Sequence, residues 1–240
     1  QQDFKTRIDD SRKIARTLVA FANADGGRLL VGVKDNGTVS GVRVDEELHM
    51  IEAAAQMYCQ PAVEFRTQVW KADVRSVLEV VVEPSRQRPH RSEDEEGQWN
   101  TYLRLEDENI RVNAVLSRCW DHRFRADRPA FEYDRHVGRL FRTWRKGKLL
   151  GFRQILRTVR RPAQATEDLL ALLVGWGIVE MVLGDRNFMY GLADEQALEN
   201  LETQGPALFD LSVLPPSPRI RRLKPRGVRP VDPRALPPDV

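Results

Sequence analysis

Apolar residues near the start of the chain recur every three or four positions, as at Ile14, Leu18 and Phe21. This spacing places them on one side of a helix, because an α-helix makes a turn in about 3.6 residues. The pattern predicts an amphipathic helix over residues 10–24, with an acidic or hydroxyl residue capping its start. We expect this helix to bury its apolar face against the rest of the chain.

A strand and a tight turn are predicted directly after this helix. The pair Gly26-Gly27 is typical of a helix end, because glycine adopts the backbone angles that reverse the chain. The apolar run at 28–33 predicts a short strand. Asn36-Gly37 then predicts a hairpin turn, which would lead into a return strand at 39–42.

The rest of the first half alternates between helical and extended patterns. The predicted elements are a helix at 45–58, strands at 63–69, 77–82 and 101–105, and a helix at 113–120. The polar stretch at 85–98 is predicted to be a long mobile loop. This order of elements favours an α+β fold with a mixed, mostly antiparallel sheet and helices packed on it.

The second half shows a different order of elements. Amphipathic patterns predict helices at 133–146, 152–159 and 162–175, followed by a β-hairpin with strands at 179–183 and 188–192. Three helices followed by a hairpin are typical of the winged helix, a variant of the helix-turn-helix. We therefore predict a small winged-helix-like domain in this part of the chain.

These patterns divide the chain into five segments. They are a first domain at 1–120, a linker at 121–132, a winged-helix-like domain at 133–192, an acidic helix at 193–214 and a flexible tail at 215–240. The tail is rich in Pro and Arg and has few large apolar residues, so it is not expected to pack.

Positive charge is concentrated in the second half, although the net charge of the whole chain is only +3. The net charge is −3 over residues 1–120, +6 over 121–192, −5 over 193–214 and +5 over 215–240. Such an asymmetry points to a polyanionic partner. A solvated surface without a partner remains the alternative.

The cysteines and the hydropathy of the chain bear on its compartment. Cys59 and Cys119 fit neither a CxxC metal pattern nor the disulfide framework of a small secreted protein. No apolar run approaches the roughly 20 residues needed to span a bilayer, and no signal segment opens the sequence. We expect a cytoplasmic protein without a membrane partner.

Several motifs of the first half occur together in a fixed order. They are Asp3-Phe4-Lys5, Ala20-Phe21-Ala22-Asn23 with Gly26-Gly27, Leu30-Val31-Gly32-Val33 with Asp35-Asn36-Gly37, and Ser40-Gly41-Val42. This combination resembles the Schlafen AlbA_2 family over residues 1–120. Pro89-His90 and Tyr102-Leu103-Arg104 lie where such domains have their later strands. The resemblance implies a small α/β module that acts on or binds nucleic acid, either DNA or RNA.

The resemblance also implies a metal site. Nuclease members of the family use three acidic residues to hold a divalent cation, Mg²⁺ or Mn²⁺, which activates water and stabilises phosphate charge. Two of these positions match Asp3 and Asp35, which would be catalytic ligands; the third would lie before Asp3, where Gln1 and Gln2 cannot replace a carboxylate. From the residues alone, Asp35 is also explained as a turn former and Asp3 as a surface acid.

Polar and basic residues of the first half are predicted to contact nucleic acid. They are Lys5, Asn23, Gly26, Gly27, Arg28, Lys34, His90 and Arg104. The glycine pair lets the backbone approach a phosphate, but a plain helix-to-strand turn explains it too. His90 is a phosphate contact, an acid–base group or simply an exposed histidine. Trp99, Tyr102 and Phe65 either stack on bases or pack in the core.

Basic residues also cluster around the first two helices of the second half. The predicted contacts there are Arg142, Arg145, Lys146, Arg157, Arg160 and Arg161, and Arg135, Arg139, Lys148 and Arg153 belong to the same cluster. Residues three or four apart share a helix face and would together neutralise several phosphates. The third helix has almost no basic or amide residues beyond Gln164, so direct base readout is expected to be poor.

Three hypotheses follow for function. The first is nucleic-acid binding through the phosphate backbone, by a homodimer that imitates the two-lobed groove of Schlafen cores. The second is a metal-dependent endoribonuclease for structured RNA such as tRNA, using Asp3 and Asp35. The third is a non-catalytic oligomerisation or regulatory scaffold. No GxxxxGK[ST] loop occurs in the sequence, so the motif gives no support for ATP binding.

Overall fold

The structure is a computed structural model of the 240-residue chain, and it describes residues 1–124, 130–184, 187–209 and 219–223. Over these ranges the chain has a mixed α+β fold whose strand pairs are mostly antiparallel, as predicted. Some predictions lie outside the described ranges. They concern residues 125–129 of the linker, Asp185 and Arg186 of the hairpin turn, residues 210–214 of the acidic segment, and 215–218 and 224–240 of the tail.

Twelve elements build the first half. They are β1 (Gln2–Lys5), α1 (Ser11–Asn23), β2 (Gly27–Val31), α2 (Val44–Met57), β3 (Cys59–Gln60), β4 (Arg66–Ala72), β5 (Arg75–Val82), β6 (Arg91–Glu93), β7 (Trp99–Asn100), β8 (Tyr102–Leu105), β9 (Glu108–Arg111) and α3 (Ala114–Phe124). The main sheet has the order β1-β2-β5-β4, in which only the β1–β2 pair is parallel. Smaller sheets are formed by β3-β6-β7 and by β8-β9.

The predicted apolar face of α1 lies at the centre of the first core. The Asp10 carboxylate accepts the Arg12 N–H, which satisfies one of the free donors at the start of the helix. Leu18 and Phe21 are fully buried, together with Ile51 of α2 and Leu78 of β5. The helices α1 and α2 and the main sheet therefore share one hydrophobic core.

The predicted return strand at 39–42 does not form. Only a single bridge joins Val33 to Val39. The N–H groups of Ser40 and Gly41 both donate to the Gly32 carbonyl, and Gly41 has a φ of +78°. A backbone in this left-handed region cannot continue a ladder, so the chain bends away after the bridge.

The segment at 85–98 is not a long mobile loop as predicted. It contains β6 and β7, and the side chains of Arg88 and His90 are buried within it. The Arg88 guanidinium donates to the carbonyls of Ala22 and Ala24 at the end of α1. These carbonyls have no partner inside the helix, so the arginine both caps α1 and fixes the segment.

The second half contains the predicted three helices and hairpin. The elements are α4 (Arg135–Trp144), β10 (Leu150–Gly151), α5 (Phe152–Val159), α6 (Ala163–Gly175), β11 (Val179–Leu183), β12 (Phe188–Leu192), α7 (Glu195–Gln204) and β13 (Ile220–Arg222). The strands form a sheet with the order β10-β12-β11-β13. A second hydrophobic core lies between this sheet and the helices, with Leu140, Phe141 and Ile155 fully buried.

Part of the predicted flexible tail packs, contrary to expectation. The strand β13 pairs in parallel with β11, whose outer edge would otherwise be open. The Arg221 guanidinium donates to both carboxylate oxygens of Glu180, and the Arg222 guanidinium contacts Glu108 at 2.8 Å. Backbone pairing and ion pairs hold this segment, together with Ile220, which packs against the second core.

The helix α3 belongs to the second core. Its residues Val115, Leu116 and Trp120 are buried there, and Arg118 reaches α6 through Glu167 at 2.9 Å and Asp168 at 3.0 Å. The predicted domain boundary at residue 120 falls inside this helix. Within the predicted linker, the ring of Phe131 packs on Trp176 with centroids 5.5 Å apart, so the end of that segment is also held in place.

Candidate nucleic-acid interface

The carboxylate of Asp3 faces cations of its own chain. Asp3 lies in β1, and one carboxylate oxygen is 3.2 Å from the Lys5 ammonium while the other is 3.8 Å from the Arg104 guanidinium. Arg104 is buried, donates to Asn109 at 3.0 Å and to the Gln2 carbonyl at 3.3 Å, and lies over the ring of Phe21. Asp3, Lys5 and Arg104 are therefore brought together as a charge network that fastens β1 to β8.

Asp35 lies in a different setting. Asp35 is exposed in the turn after β2. The register of the sheet places Asp3 beside Leu29, which precedes Asp35 by six residues. No cluster of three or more His, Cys, Asp or Glu side chains suited to a metal ion occurs in the part of the chain that the structure describes. The metal role of Asp3 and Asp35 stays a prediction.

Asn23 and His90 form a buried link between the end of α1 and the neighbouring strands. The Asn23 amide nitrogen donates to the carbonyls of His90 at 2.9 Å and Tyr102 at 2.8 Å, and its oxygen accepts the His90 N–H at 2.8 Å. Both side chains are at most 2% exposed. Their polar groups are thus engaged inside the fold rather than presented to a ligand.

The ring of His90 is also held on both nitrogens. Nδ1 lies 2.9 Å from the Pro61 carbonyl and Nε2 lies 2.6 Å from the Ser85 hydroxyl. Burial, with the nearby charge of Arg88, holds the pKa of His90 below its ordinary value, although the contact with Pro61 opposes the shift. A neutral ring is favoured, so His90 is neither the exposed histidine nor the cationic phosphate contact that the sequence suggested.

The glycine pair is required by packing. Gly26 has a φ of +79°, and a Cβ placed there would lie 2.7 Å from the Val82 carbonyl oxygen. A Cβ on Gly27 would lie 2.4 Å from the ring of Phe21. The Gly26 N–H donates to the Phe21 carbonyl at 3.1 Å, so this donor is already used. The glycine pair therefore allows close packing against Val82 and Phe21 of the same chain.

Arg28 and Lys34 differ in their availability. Arg28 lies on β2 with a mostly exposed side chain, and its guanidinium is 3.4 Å from the carboxylate of Glu79. Lys34 is exposed in the turn beside Asp35, and its ammonium has no side-chain partner among residues that are described. Of the predicted contacts in the first half, Lys34 is therefore the freest cation.

The basic cluster of the second half is largely exposed. Seven of its side chains have no hydrogen bond or ion pair within the described ranges: Arg139, Arg142, Lys146, Lys148, Arg153, Arg157 and Arg160. On α4 the opposite side is the buried stripe of Val137, Leu140, Phe141 and Trp144. The helix therefore turns one face to the core and a basic face to solvent.

Arg145 and Arg161 belong to ion pairs instead. Arg145 contacts Glu195 and Glu202 of α7, and Arg161 lies 3.0 Å from the Asp134 carboxylate. Burial acts to raise the pKa of Asp134, but hydrogen bonds from Val137 N–H and Arg161 outweigh it and hold that pKa below its usual value. These two arginines are already neutralised, which spacing alone did not indicate.

The second half of the helix α6 is covered rather than exposed. Its residues from Leu169 to Gly175 are buried, and its two acidic residues bind Arg118 of α3. In a winged helix the corresponding helix would read bases in a groove. The packing of α3 engages Glu167 and Asp168, which leaves Gln164 as the exposed polar side chain of α6.

A broad cleft of about 1100 Å³ lies beside the second core. It is lined by β9, the start of α3, the start of α5 and β12, and includes Arg111, Arg153 and Arg222 beside Glu108 and Glu167. A polar pocket of about 220 Å³ shares Arg111 and the start of α3 with this cleft and adds Arg91 and Trp99. Arg91 and Arg111 were not predicted as site residues, because they lie on strands of two different sheets that come together only in the fold.

Residues 1–113 match the family model described as Schlafen, AlbA_2. This finding supports the resemblance over that part of the chain. The winged-helix arrangement of the second half has no such match and stays a prediction. A search of the curated proteins found no match to the chain.

Two solved structures are similar to parts of the chain. One is the DIP2311 protein from Corynebacterium diphtheriae, with 14% identity and a TM-score of 0.39, covering 86% of this chain and 42% of that one. The other is the N-terminal domain of a RecG-related protein from Nitrosomonas europaea, with 19% identity and a TM-score of 0.32, covering 56% of this chain and 86% of that one. The chain thus spans less than half of the DIP2311 protein.

Among the helices of the described ranges, none is both long enough and apolar enough to cross a membrane.

Proposed function

We propose that this protein binds nucleic acid, mainly through contacts with the phosphate backbone. The observation that carries the proposal is the set of exposed basic side chains on α4, on α5 and in the turn between them, which have no acidic partner among the residues described. Unpaired arginines and lysines on one part of a surface bind phosphates and release counterions.

The spacing of these residues supports binding to a regular array of phosphates. On α4, Arg135, Arg139 and Arg142 follow at intervals of four and three residues, and on α5 Arg153 and Arg157 are four apart. Such intervals keep side chains on one helix face. Each helix therefore offers a row of cations to the same polyanion.

The second half favours backbone contacts over base readout. We propose that the order α4, β10, α5, α6, β11, β12 is a winged-helix arrangement, in which α6 would be the reading helix. Because α6 has no basic residue and its two acidic residues bind α3, the proposal assigns binding to the basic faces of α4 and α5. Backbone contacts give affinity without sequence information, so we expect little preference between sequences.

The match of residues 1–113 to the Schlafen, AlbA_2 family supports a nucleic-acid-related role for the first half. A homodimer that joins two such modules around one groove remains part of the proposal. The ribonuclease alternative needs an Mg²⁺ or Mn²⁺ site, and no observation on the described residues favours it over plain binding.

A pair of fourfold variants tests the proposal. The first replaces Arg139, Arg142, Arg153 and Arg157 with glutamine. The matched control replaces four exposed arginines of the first half, Arg7, Arg43, Arg66 and Arg86, with glutamine. Both variants lower the net charge from +3 to −1, so only the position of the lost charge differs. Affinity for labelled single-stranded and double-stranded oligonucleotides is measured by fluorescence anisotropy in 50 mM salt.

We expect the α4/α5 variant to bind at least about tenfold more weakly than the wild type, and the control variant to bind much as the wild type does. Equal losses in the two variants would show that binding depends only on total charge. An absence of binding by the wild type to every oligonucleotide would overturn the proposed function.

A further inference from the structure

The polar pocket beside the broad cleft differs from the cleft in its charge. Its lining contains two arginines, a tryptophan and several polar residues, among them Arg91, Arg111, Trp99, Asn100 and Ser117. None of its described lining residues is acidic, whereas Glu108 and Glu167 line the cleft. An anion is therefore favoured in the pocket more strongly than in the cleft.

The two arginines of the pocket are available to a ligand. Arg91 lies in β6 and Arg111 ends β9, and both side chains are exposed. Neither guanidinium has a hydrogen bond or ion pair within the ranges that the structure covers. Most other arginines of the first half do have such partners, for example Arg7 with Asp9 and Arg43 with Glu46. A planar guanidinium binds a phosphate through two parallel hydrogen bonds.

Trp99 supplies an aromatic surface at the same place. Its side chain is 40% exposed, although three of the five tryptophans are almost fully buried: Trp120, Trp144 and Trp176. The strand pairing of β7 with β6 fixes its position opposite Glu93. Exposing an indole to water is unfavourable unless something covers it, and a nucleic-acid base has the flat face that stacks on an indole.

We propose that this pocket binds one unpaired nucleotide of the bound nucleic acid, with its base stacked on Trp99 and its phosphate held by Arg91 and Arg111. The inference rests on the proposed function and adds to it a site that prefers single strands. A paired base is stacked between its neighbours, so it cannot lie on an indole without leaving the duplex. The basic faces of α4 and α5 would bind the backbone of the same strand.

Tryptophan fluorescence of the full chain tests the proposal. Binding of a single-stranded oligonucleotide is expected to give a saturable loss of fluorescence as a base stacks on Trp99. The Trp99→Phe variant is expected to lose this quenching. The Trp70→Phe variant is the matched control, because Trp70 is 49% exposed and lies on β4, in a different sheet. It is expected to retain the quenching.

Anisotropy measurements test the phosphate contact. Arg111→Gln is expected to weaken binding of the single strand by about five- to tenfold in 0.1 M salt. Arg43→Gln is the control, because Arg43 lies at the start of α2 and the β3–β6 pair follows the other end of this helix. The two ends of α2 are about 20 Å apart. It is expected to bind as the wild type does. Circular dichroism spectra of all four variants verify that they are folded.

The outcomes separate the pocket from the basic helices. Quenching that persists in Trp99→Phe, or unchanged affinity in Arg111→Gln, overturns the pocket while leaving the α4/α5 proposal intact. Equal quenching by a duplex of the same sequence overturns the preference for an unpaired base. Equal quenching by a free nucleoside monophosphate assigns the pocket to a small nucleotide and overturns the strand contact. If the wild type binds no oligonucleotide, the proposed function fails together with this inference.

Discussion

Asn23 connects segments of the chain that are far apart in sequence. Its amide bonds to the backbone of His90 and Tyr102, which are 67 and 79 residues away. Asn23 is buried, and its three hydrogen bonds use both the amide nitrogen and the amide oxygen. We therefore expect the stability of the first half to depend more on this side chain than on a surface ion pair.

Replacing Asn23 with alanine is expected to lower the free energy of unfolding by about 3 kcal/mol, because the buried partners lose their hydrogen bonds without regaining water. The control is Asn36→Ala, since Asn36 is exposed and its side chain accepts the Thr38 N–H at the surface. Its expected cost is below about 1 kcal/mol. Urea denaturation followed by circular dichroism measures both, and equal effects would contradict the role assigned to Asn23.

The stability of the protein is expected to fall in mild acid because of His90. Its pKa is lower in the folded protein than the ordinary value of 6.5. Below about pH 6.5 the unfolded chain therefore binds a proton that the folded chain does not, and unfolding is favoured. This loss grows as the pH falls towards the lower pKa of the folded state. Above about pH 7 the ring is neutral in both states, so the effect vanishes.

Urea unfolding at pH 7.5 and pH 5.0 measures this dependence. The wild type is expected to lose more stability between these values than His90→Gln does, because glutamine does not titrate. Because the change in stability between the two pH values is compared, any cost of the substitution that is independent of pH cancels. An equal loss in both proteins would mean that other groups cause the acid sensitivity.

Motif recognition identified Asn23 and His90 as notable residues but not their roles. Their sequence neighbours are compatible with an exposed turn and an exposed loop. Both residues are buried through contacts with the strand β8 and with Pro61. A local sequence pattern does not predict such contacts, because these partners are distant in sequence. The sequence therefore indicated that these two positions matter. Their burial and hydrogen bonds inside the fold become apparent only from the three-dimensional contacts.

At the scale of elements, the junction between α1 and β2 is the tightest part of the first half. Gly27 lies so close to the ring of Phe21 that a methyl group would overlap it. Gly27→Ala is expected to cost about 2–3 kcal/mol, because a packed core resists added volume. In the double variant Gly27→Ala with Phe21→Leu, the smaller side chain relieves the overlap. The two effects are therefore expected to be less than additive in denaturant titrations.

If the losses in unfolding free energy from the two substitutions are additive, the cost of Gly27→Ala does not come from overlap with the ring of Phe21. Phe21→Leu alone supplies the cost of the lost ring. The cycle therefore isolates the contact between the two residues from the general cost of disturbing the core.

Helices were predicted more completely than strands. The helical period appears within a single segment, so α1, α5 and α6 were predicted to within two residues at either end. The short strands β1, β9 and β13 were not predicted, because each owes its existence to a partner elsewhere in the chain. The return strand at 39–42 was wrong for the same reason, since the turn signal does not specify how far pairing continues.

At the scale of the whole molecule, charge and packing separate into distinct regions. The described residues form two hydrophobic cores, and α3 packs in the second of them although it follows directly on β9 of the first half. Ion pairs neutralise Asp3, Arg145 and Arg161 within the fold. Unpaired cations on α4, on α5 and in the polar pocket form the surface proposed to bind nucleic acid.

The basic helices could be predicted from spacing, and the polar pocket could not. Repeats of arginine at three and four residues indicate one helix face without any structure. By contrast, Arg91 and Arg111 are twenty residues apart and are brought together by separate strands. Ion pairs such as that of Arg161 with Asp134 also depend on distant contacts, so a list of basic residues overstates the free charge.

The salt dependence of oligonucleotide binding tests the central claim most directly. We predict a negative slope when the logarithm of the association constant is plotted against that of the salt concentration. If Arg139, Arg142, Arg153 and Arg157 each contact a phosphate, their joint replacement by glutamine makes the slope less steep by about 3. A slope near zero for the wild type, or an unchanged slope in the variant, would contradict binding of the phosphate backbone by the basic faces of α4 and α5.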